Sequence, residues 1–128
     1  MTIKTLEDLR QYCATKAGSK EDFPFDNNTL VFKVMNKIFA LTNITWSELK
    51  VNLKCEPEFA ELLREKYQAI VPGYHMNKKH WNTVTIDGSI PNSELLQLID
   101  HSYDLVVSKL KKSDREKLEY KDYLNKLN

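Results

Sequence analysis

Between Leu30 and Lys54 the chain carries three short segments rich in apolar residues, the third strictly alternating, and this run of strand-like segments constrains the fold more than any other feature. In Leu30-Val31-Phe32-Lys33-Val34, the side chains of Leu30, Phe32 and Val34 point to one face. Lys37-Ile38-Phe39-Ala40-Leu41 reads as the hairpin partner across Met35-Asn36, which would pair Phe32 with Phe39 and Lys33 with Ile38. The third segment alternates cleanly, with Leu49, Val51 and Leu53 inward and Glu48, Lys50, Asn52 and Lys54 outward. Strands in a run, kept apart from the helical segments, argue for an antiparallel sheet covered on one face.

Helical spacing brackets this run. Thr5 can cap a first helix, with Asp8 three residues on in a capping-box arrangement and Leu6, Leu9 and Cys13 on one face. Gly18 and Ser19-Lys20-Glu21-Asp22 are expected to end it, and Phe23-Pro24-Phe25 to lie over the core as an aromatic clasp. A second helix begins at Pro57, with Phe59, Leu62 and Leu63 as its expected buried stripe. After Pro72-Gly73, Trp81 to Ile86 reads as a strand closed by the Asp87-Gly88 turn. Leu95, Ile99, Tyr103, Val106 and Leu110 then mark a third helix over about residues 92–110. The fold class is therefore α+β: one domain, with an antiparallel sheet and helices packed on one face. Residues 1–112 form that domain, and residues 113–128 a charged helical tail.

The chain has 128 residues, 41% hydrophobic and 29% charged, which suits one globular domain with its own core. Its formal net charge of +1 excludes a polycation, so any attraction to phosphate must come from local clustering. Cys13 and Cys55 make no disulfide framework. The charged start MTIKTLEDLR does not read as a secretory leader, and no apolar run is long enough to cross a membrane. The expectation is a cytoplasmic protein with reduced thiols and no membrane partner.

Chemistry concentrates in one place. Tyr74-His75-Met76-Asn77-Lys78-Lys79-His80-Trp81-Asn82 combines aromatic, amide, imidazole and ammonium groups just after a turn signal, a mixture that core packing does not require. As a nucleic-acid contact, Lys78 and Lys79 would meet phosphates, Asn77 and Asn82 would hydrogen-bond to phosphates or base edges, and Tyr74 or Trp81 would stack. Strand phase puts Trp81 on the same face as Thr83 and Thr85. Lys54 and Arg64 are further candidate phosphate contacts, and Lys33, Lys50 and Asn52 could extend a basic sheet face. The plainer alternative is a hairpin whose aromatics pack and whose lysines are solvated.

Other chemistries find less support. His75 and His80 are five residues apart, a poor separation for joint metal ligation on a strand or a helix, so no metal site is expected. Cys55 sits at the start of the second helix, where the dipole would make it mildly reactive, but no nucleophile motif surrounds it. His101 and Asp104 could pair locally on the third helix. Neither catalysis nor a cofactor is expected. A second function class is a protein-interaction module, in which the loop and Phe23 and Phe25 dock a peptide or a second copy of the chain.

Taken in order, several pieces resemble the MmcQ/YjbR family, small bacterial proteins described as DNA-binding domains. They are Cys13 followed by Gly18, then Phe23-Pro24-Phe25, then Phe32-Lys33-Val34 leading to Lys37-Ile38-Phe39-Ala40. Leu53-Lys54-Cys55-Glu56-Pro57-Glu58, Leu63-Arg64, Pro72 through Asn82, and His101-Ser102-Tyr103-Asp104-Leu105-Val106 complete the set. The departure is Met35-Asn36, where the family often carries Gly-Gly, so a longer or differently shaped turn is expected there. The resemblance implies the order α-β(3)-α-β(2)-α, a likeness to secretion-chaperone-like domains, and DNA binding as function.

Overall fold

The computed structural model describes residues 1–74 and 76–127. Thr5 opens α1 (Leu6–Ala14) with the expected capping box: its hydroxyl accepts the Asp8 N–H, and the Asp8 carboxylate accepts the Thr5 N–H. The reciprocal cap satisfies two N–H groups that a helix start leaves unpaired. Leu9 and Cys13 are fully buried on one face, while Tyr12 reaches α3 (Asn92–Ser108) by donating its hydroxyl to Asp100 at 2.6 Å.

Past α1 the chain departs from expectation. Ser19–Asp22 does not end a helix but forms β1, an edge strand antiparallel to β2 (Thr29–Val34). Charged residues blunt an edge strand against pairing with other chains, and the same charges hide it from a search for apolar alternation. Phe23 and Phe25 do not clasp the core; they are 43% and 67% exposed on the β1–β2 connection.

The hairpin from β2 to β3 (Lys37–Asn43) keeps its two-residue turn, with Met35 and Asn36 both at positive φ, 48° and 67°. That geometry matches the twist of the flanking strands, so the turn is not lengthened despite lacking glycine. Lys33 faces Ile38 as expected, but Phe32 faces Ala40 instead of Phe39. Phe39 is the extra residue of a β-bulge, and both Phe39 and Ala40 end fully buried in the core.

β4 (Lys50–Lys54) pairs with β3 on one side and with β6 (Trp81–Thr85) on the other, while β5 (Ile70–Pro72) closes the far edge. The sheet order is β1-β2-β3-β4-β6-β5, every neighbour antiparallel. Four strands, not three, thus precede α2 (Pro57–Lys66). One face of the sheet, through Leu30, Phe32, Val34, Val51, Leu53 and Val84, shares a single core with buried residues of the helices.

α3 lies against β2, β3 and β4 and buries Leu95, Ile99, Tyr103 and Val106, with Leu110 buried just past its end. α2 packs against β5 in a phase rotated from the expected one. Ala60 and Leu63 are buried, while Phe59 and Leu62 face outward. The charged tail forms α4 (Lys112–Lys126) and docks Leu118 in the core. Gly18, at a φ of +71° that favours glycine, packs against this helix, since an added Cβ would lie 2.6 Å from a Leu118 methyl carbon. Among the described residues no helix is long and apolar enough to cross a membrane.

Candidate nucleic-acid interface

The segment between β5 and β6 is folded back on itself. Gly73 N–H donates to the Trp81 carbonyl at 2.8 Å, Trp81 N–H to the Asn77 carbonyl at 2.9 Å, and Met76 N–H to the Gly73 carbonyl at 3.3 Å. The Asn77 side-chain oxygen accepts the Lys79 N–H at 3.0 Å, a local turn that asparagine favours. This turn presents Lys78 and Lys79 to solvent. The Lys78 ammonium donates to the Gly73 carbonyl at 3.4 Å, a long contact. Tyr74 is 58% exposed, and its N–H donates to the Thr83 hydroxyl at 2.9 Å. His75, a predicted contact residue, lies outside the described residues.

Two of the expected contact residues serve the loop from inside. Asn82 is not a surface amide: it pairs with Leu53 on the helix-covered side of the sheet and is buried. Arg64, reaching from α2, donates its Nε–H to the Asn82 side-chain oxygen at 2.6 Å. It also donates to the Lys78 carbonyl and, at 3.4 Å, to the Trp81 carbonyl. A guanidinium presents several donors in a fixed fork, which is what three acceptors in different directions require. The expectation that Arg64 and Asn82 face a ligand is corrected on these grounds; they fasten the loop to the domain.

The opposite face of the sheet holds the rest. Lys54 on β4 and Trp81 on β6 are direct cross-strand partners, both partly exposed. Cross-strand partners on one face bring their Cβ atoms to about 4.5–5.5 Å. The next row on that face is Val31, Leu41, Asn52 and Thr83, in register across β2, β3, β4 and β6, all buried. Asn52 therefore points outward in strand phase but not into solvent: its side-chain oxygen accepts the Thr83 hydroxyl at 2.5 Å. Lys33 sits further along the face, 3.1 Å from the Asp22 carboxylate. Glu58, Glu61 and Glu65 are exposed on α2, on the helix-bearing side and away from the Lys54–Trp81 pair, whereas Asp22 shares the face of that pair.

Three successive N–H groups hold the backbone that carries Lys54. Lys54 N–H donates to the Ser102 hydroxyl oxygen at 2.8 Å, Cys55 N–H to the His80 carbonyl at 2.8 Å, and Glu56 N–H to His101 Nε2 at 3.2 Å. Ser102 in turn donates to the Phe39 carbonyl at 2.5 Å, so its hydroxyl bridges β3 and β4 just past their last paired residues, Ala40 and Leu53. His101 also packs edge-on against Phe59, ring centroids 5.4 Å apart, and thus turns to α2 instead of Asp104. Accepting through Nε2 puts its proton on Nδ1. The Cys55 thiol is buried, and burial with Glu56 beside it pushes its pKa up to about 11. That reverses the expectation of a mildly activated thiolate.

Sequence reading missed the structural work of Arg64, His101 and Ser102. Each acts on a backbone or amide group 14–63 positions away, and no local spacing marks such a pairing. Elsewhere, a cleft of about 480 Å³ lies at the other end of β6, between the N-terminal residues and the start of α3. Its Asp87 carboxylate is occupied by the N–H and hydroxyl of Ser89.

Residues 14–105 match the family model described as YjbR. The chain is 38% identical over 114 residues to protein YjbR of Escherichia coli K12, across 89% of this chain and 97% of that one. It is 30% identical over 115 residues to protein YyaQ of Bacillus subtilis 168, across 79% and 97%. Both relatives are described as uncharacterized. Among solved structures, a Deinococcus radiodurans protein of the DUF419 domain superposes with a TM-score of 0.85 at 48% identity, over 91% of this chain and 88% of that one. A Pseudomonas syringae protein does so with a TM-score of 0.68 at 30% identity, over 80% and 98%.

Proposed function

The chain belongs to the YjbR family, and from that premise we propose that it is a nucleic-acid-binding protein without catalytic activity, taking DNA as its partner. Its contact surface is the β5–β6 loop with the adjoining outer face of β4 and β6. Lys78, Lys79 and Lys54 meet phosphates, and Trp81 offers its indole to a base. One observation carries the reading: Lys54 and Trp81 are cross-strand partners on the face away from the helices, beside a loop that exposes two adjacent lysines.

Three lysines displace few counterions and the formal net charge adds little, so affinity is modest and falls steeply with salt. The cytoplasm is the compartment this reading implies. Anisotropy titration of labelled DNA at low ionic strength, with wild type and the Lys78→Ala/Lys79→Ala double variant, tests it. Binding weakened by about tenfold in the variant is expected. No binding by the wild type, or binding untouched by the substitution, rejects the reading.

A second reading, a protein-interaction module, draws support from Phe23 and Phe25, two aromatic rings exposed on one connection. Paired exposed aromatics are the kind of anchor that interfaces use. Sizing chromatography separates the two readings: a dimer insensitive to salt and lost in Phe23→Ala/Phe25→Ala favours the second.

A further inference from the structure

Resting on that nucleic-acid reading, we infer that the ligand is a single-stranded segment, DNA or RNA, and that duplex is discriminated against. Inside a duplex each base is stacked on both faces, so a protein indole can stack only on a base that is unpaired and turned out. Trp81 stands at the start of β6, partly exposed, with Lys54 directly across on β4. On its other flank Gly73 packs directly against the Trp81 backbone and Cβ, with Met76 beside it. A stacking plane and a cation one side chain apart match a base and its own phosphate in a single strand.

A duplex reader needs an element that enters a groove, usually a helix or a two-stranded ribbon. The helices of this chain that touch the sheet share their core with its other face. The β5–β6 loop is no free ribbon either, because Gly73, Met76, Asn77 and Trp81 tie it back on itself. Along the outer face the cations continue in a line crossing the strands. Lys20 pairs with Lys33, and Lys33 with Ile38, on the strands leading to Lys54. At about 4.8 Å per strand, Lys33 lies about 10 Å from Lys54 and Lys20 about 15 Å. An extended strand of a few nucleotides laid across the sheet passes these ammonium groups and ends on Trp81. Lys33 contributes less than Lys54, since Asp22 already neutralises part of its charge.

Replacing the other tryptophan (Trp46→Phe) makes Trp81 the sole indole and its emission a direct readout. This protein is titrated at low salt with oligothymidylate, oligouridylate and a blunt duplex, each of about ten nucleotides. Single strands are expected to quench Trp81, with the duplex binding about tenfold more weakly, and Trp81→Ala to weaken the single strand about tenfold with little effect on the duplex. Whichever single strand binds better identifies the source, and either supports the inference. Duplex binding equal to or tighter than single-strand binding overturns the inference while leaving the nucleic-acid reading intact. Binding with no change in Trp81 emission overturns it too, whether or not the Trp81→Ala variant folds. Failure of all three ligands to bind rejects the underlying reading itself.

Discussion

Gly73 and Trp81 are packed too closely for any side chain to come between them: the Gly73 N–H donates to the Trp81 carbonyl at 2.8 Å, and a Cβ added to Gly73 would lie 2.8 Å from that of Trp81. The same Cβ would also lie 3.0 Å from the Cβ of Met76 and 3.0 Å from the Trp81 carbonyl oxygen. Gly73 is therefore needed for close approach, and its partner is the residue on which the proposed stacking depends.

Gly73→Ala should force Trp81 and the loop apart. Overpacking of this kind costs about 1–3 kcal/mol. Urea unfolding and Trp81 emission in the Trp46→Phe background check it. Wild-type stability together with an unshifted spectrum would contradict the packing described.

Arg64→Lys keeps the charge and loses the fork. A lysine ammonium cannot serve the Asn82 side chain and two loop carbonyls at once. The variant should lose about 1–3 kcal/mol of stability. A phosphate-contact role would instead leave stability untouched and let lysine substitute in DNA binding.

Ser102→Ala leaves the Phe39 carbonyl on β3 and the Lys54 N–H on β4 without their shared partner. Buried groups stranded in this way cost about 1–3 kcal/mol each. Equilibrium unfolding should show the loss, and amide exchange at Lys54 should quicken. Slow exchange at Lys54 in the variant would mean that Ser102 is not its partner.

Alkali should unfold the protein through groups that the fold keeps protonated. Burial pushes the Cys13 thiol up to about 12 and the Tyr103 hydroxyl up to about 12, the latter with Asp104 nearby, while Cys55 rises to about 11. A raised folded pKa contributes stability that is complete below the unfolded value and lost as pH climbs through the folded one. The window is therefore from about pH 9 to about pH 12, with stability falling as pH rises. Urea midpoints at about pH 8 and about pH 11 should differ in that direction, and Cys13→Ala should shrink the difference. A midpoint that rises with pH across this window would refute the assignment.

What was legible in the sequence was local. Thr5 and Asp8 announce the first cap, and the spacing of Leu95, Ile99, Tyr103 and Val106 announces α3, because both signals repeat within a turn or two of helix. Trp81 was placed on the correct face by alternation alone. The misses arise from tertiary choices. β1 has no apolar residue to betray it, and its pairing with β2 is a matter of backbone hydrogen bonds. α2 could bury either of two adjacent stripes, and packing against β5 selected Ala60 and Leu63 over Phe59 and Leu62. Asn82 and Asn52 look like surface amides until partners from distant segments, Arg64 and Thr83, take them up.

In the proposed interface Lys54, Lys78 and Lys79 act together on a phosphate chain. The direct measurement is the slope of log K against log salt for single-stranded DNA, compared between wild type and the Lys54→Ala/Lys78→Ala/Lys79→Ala variant. Each lost phosphate contact removes about 0.7 from the slope on a single strand, so the triple variant should flatten it by about 2. An identical slope in the two proteins, or no measurable binding by the wild type at low salt, would contradict the account.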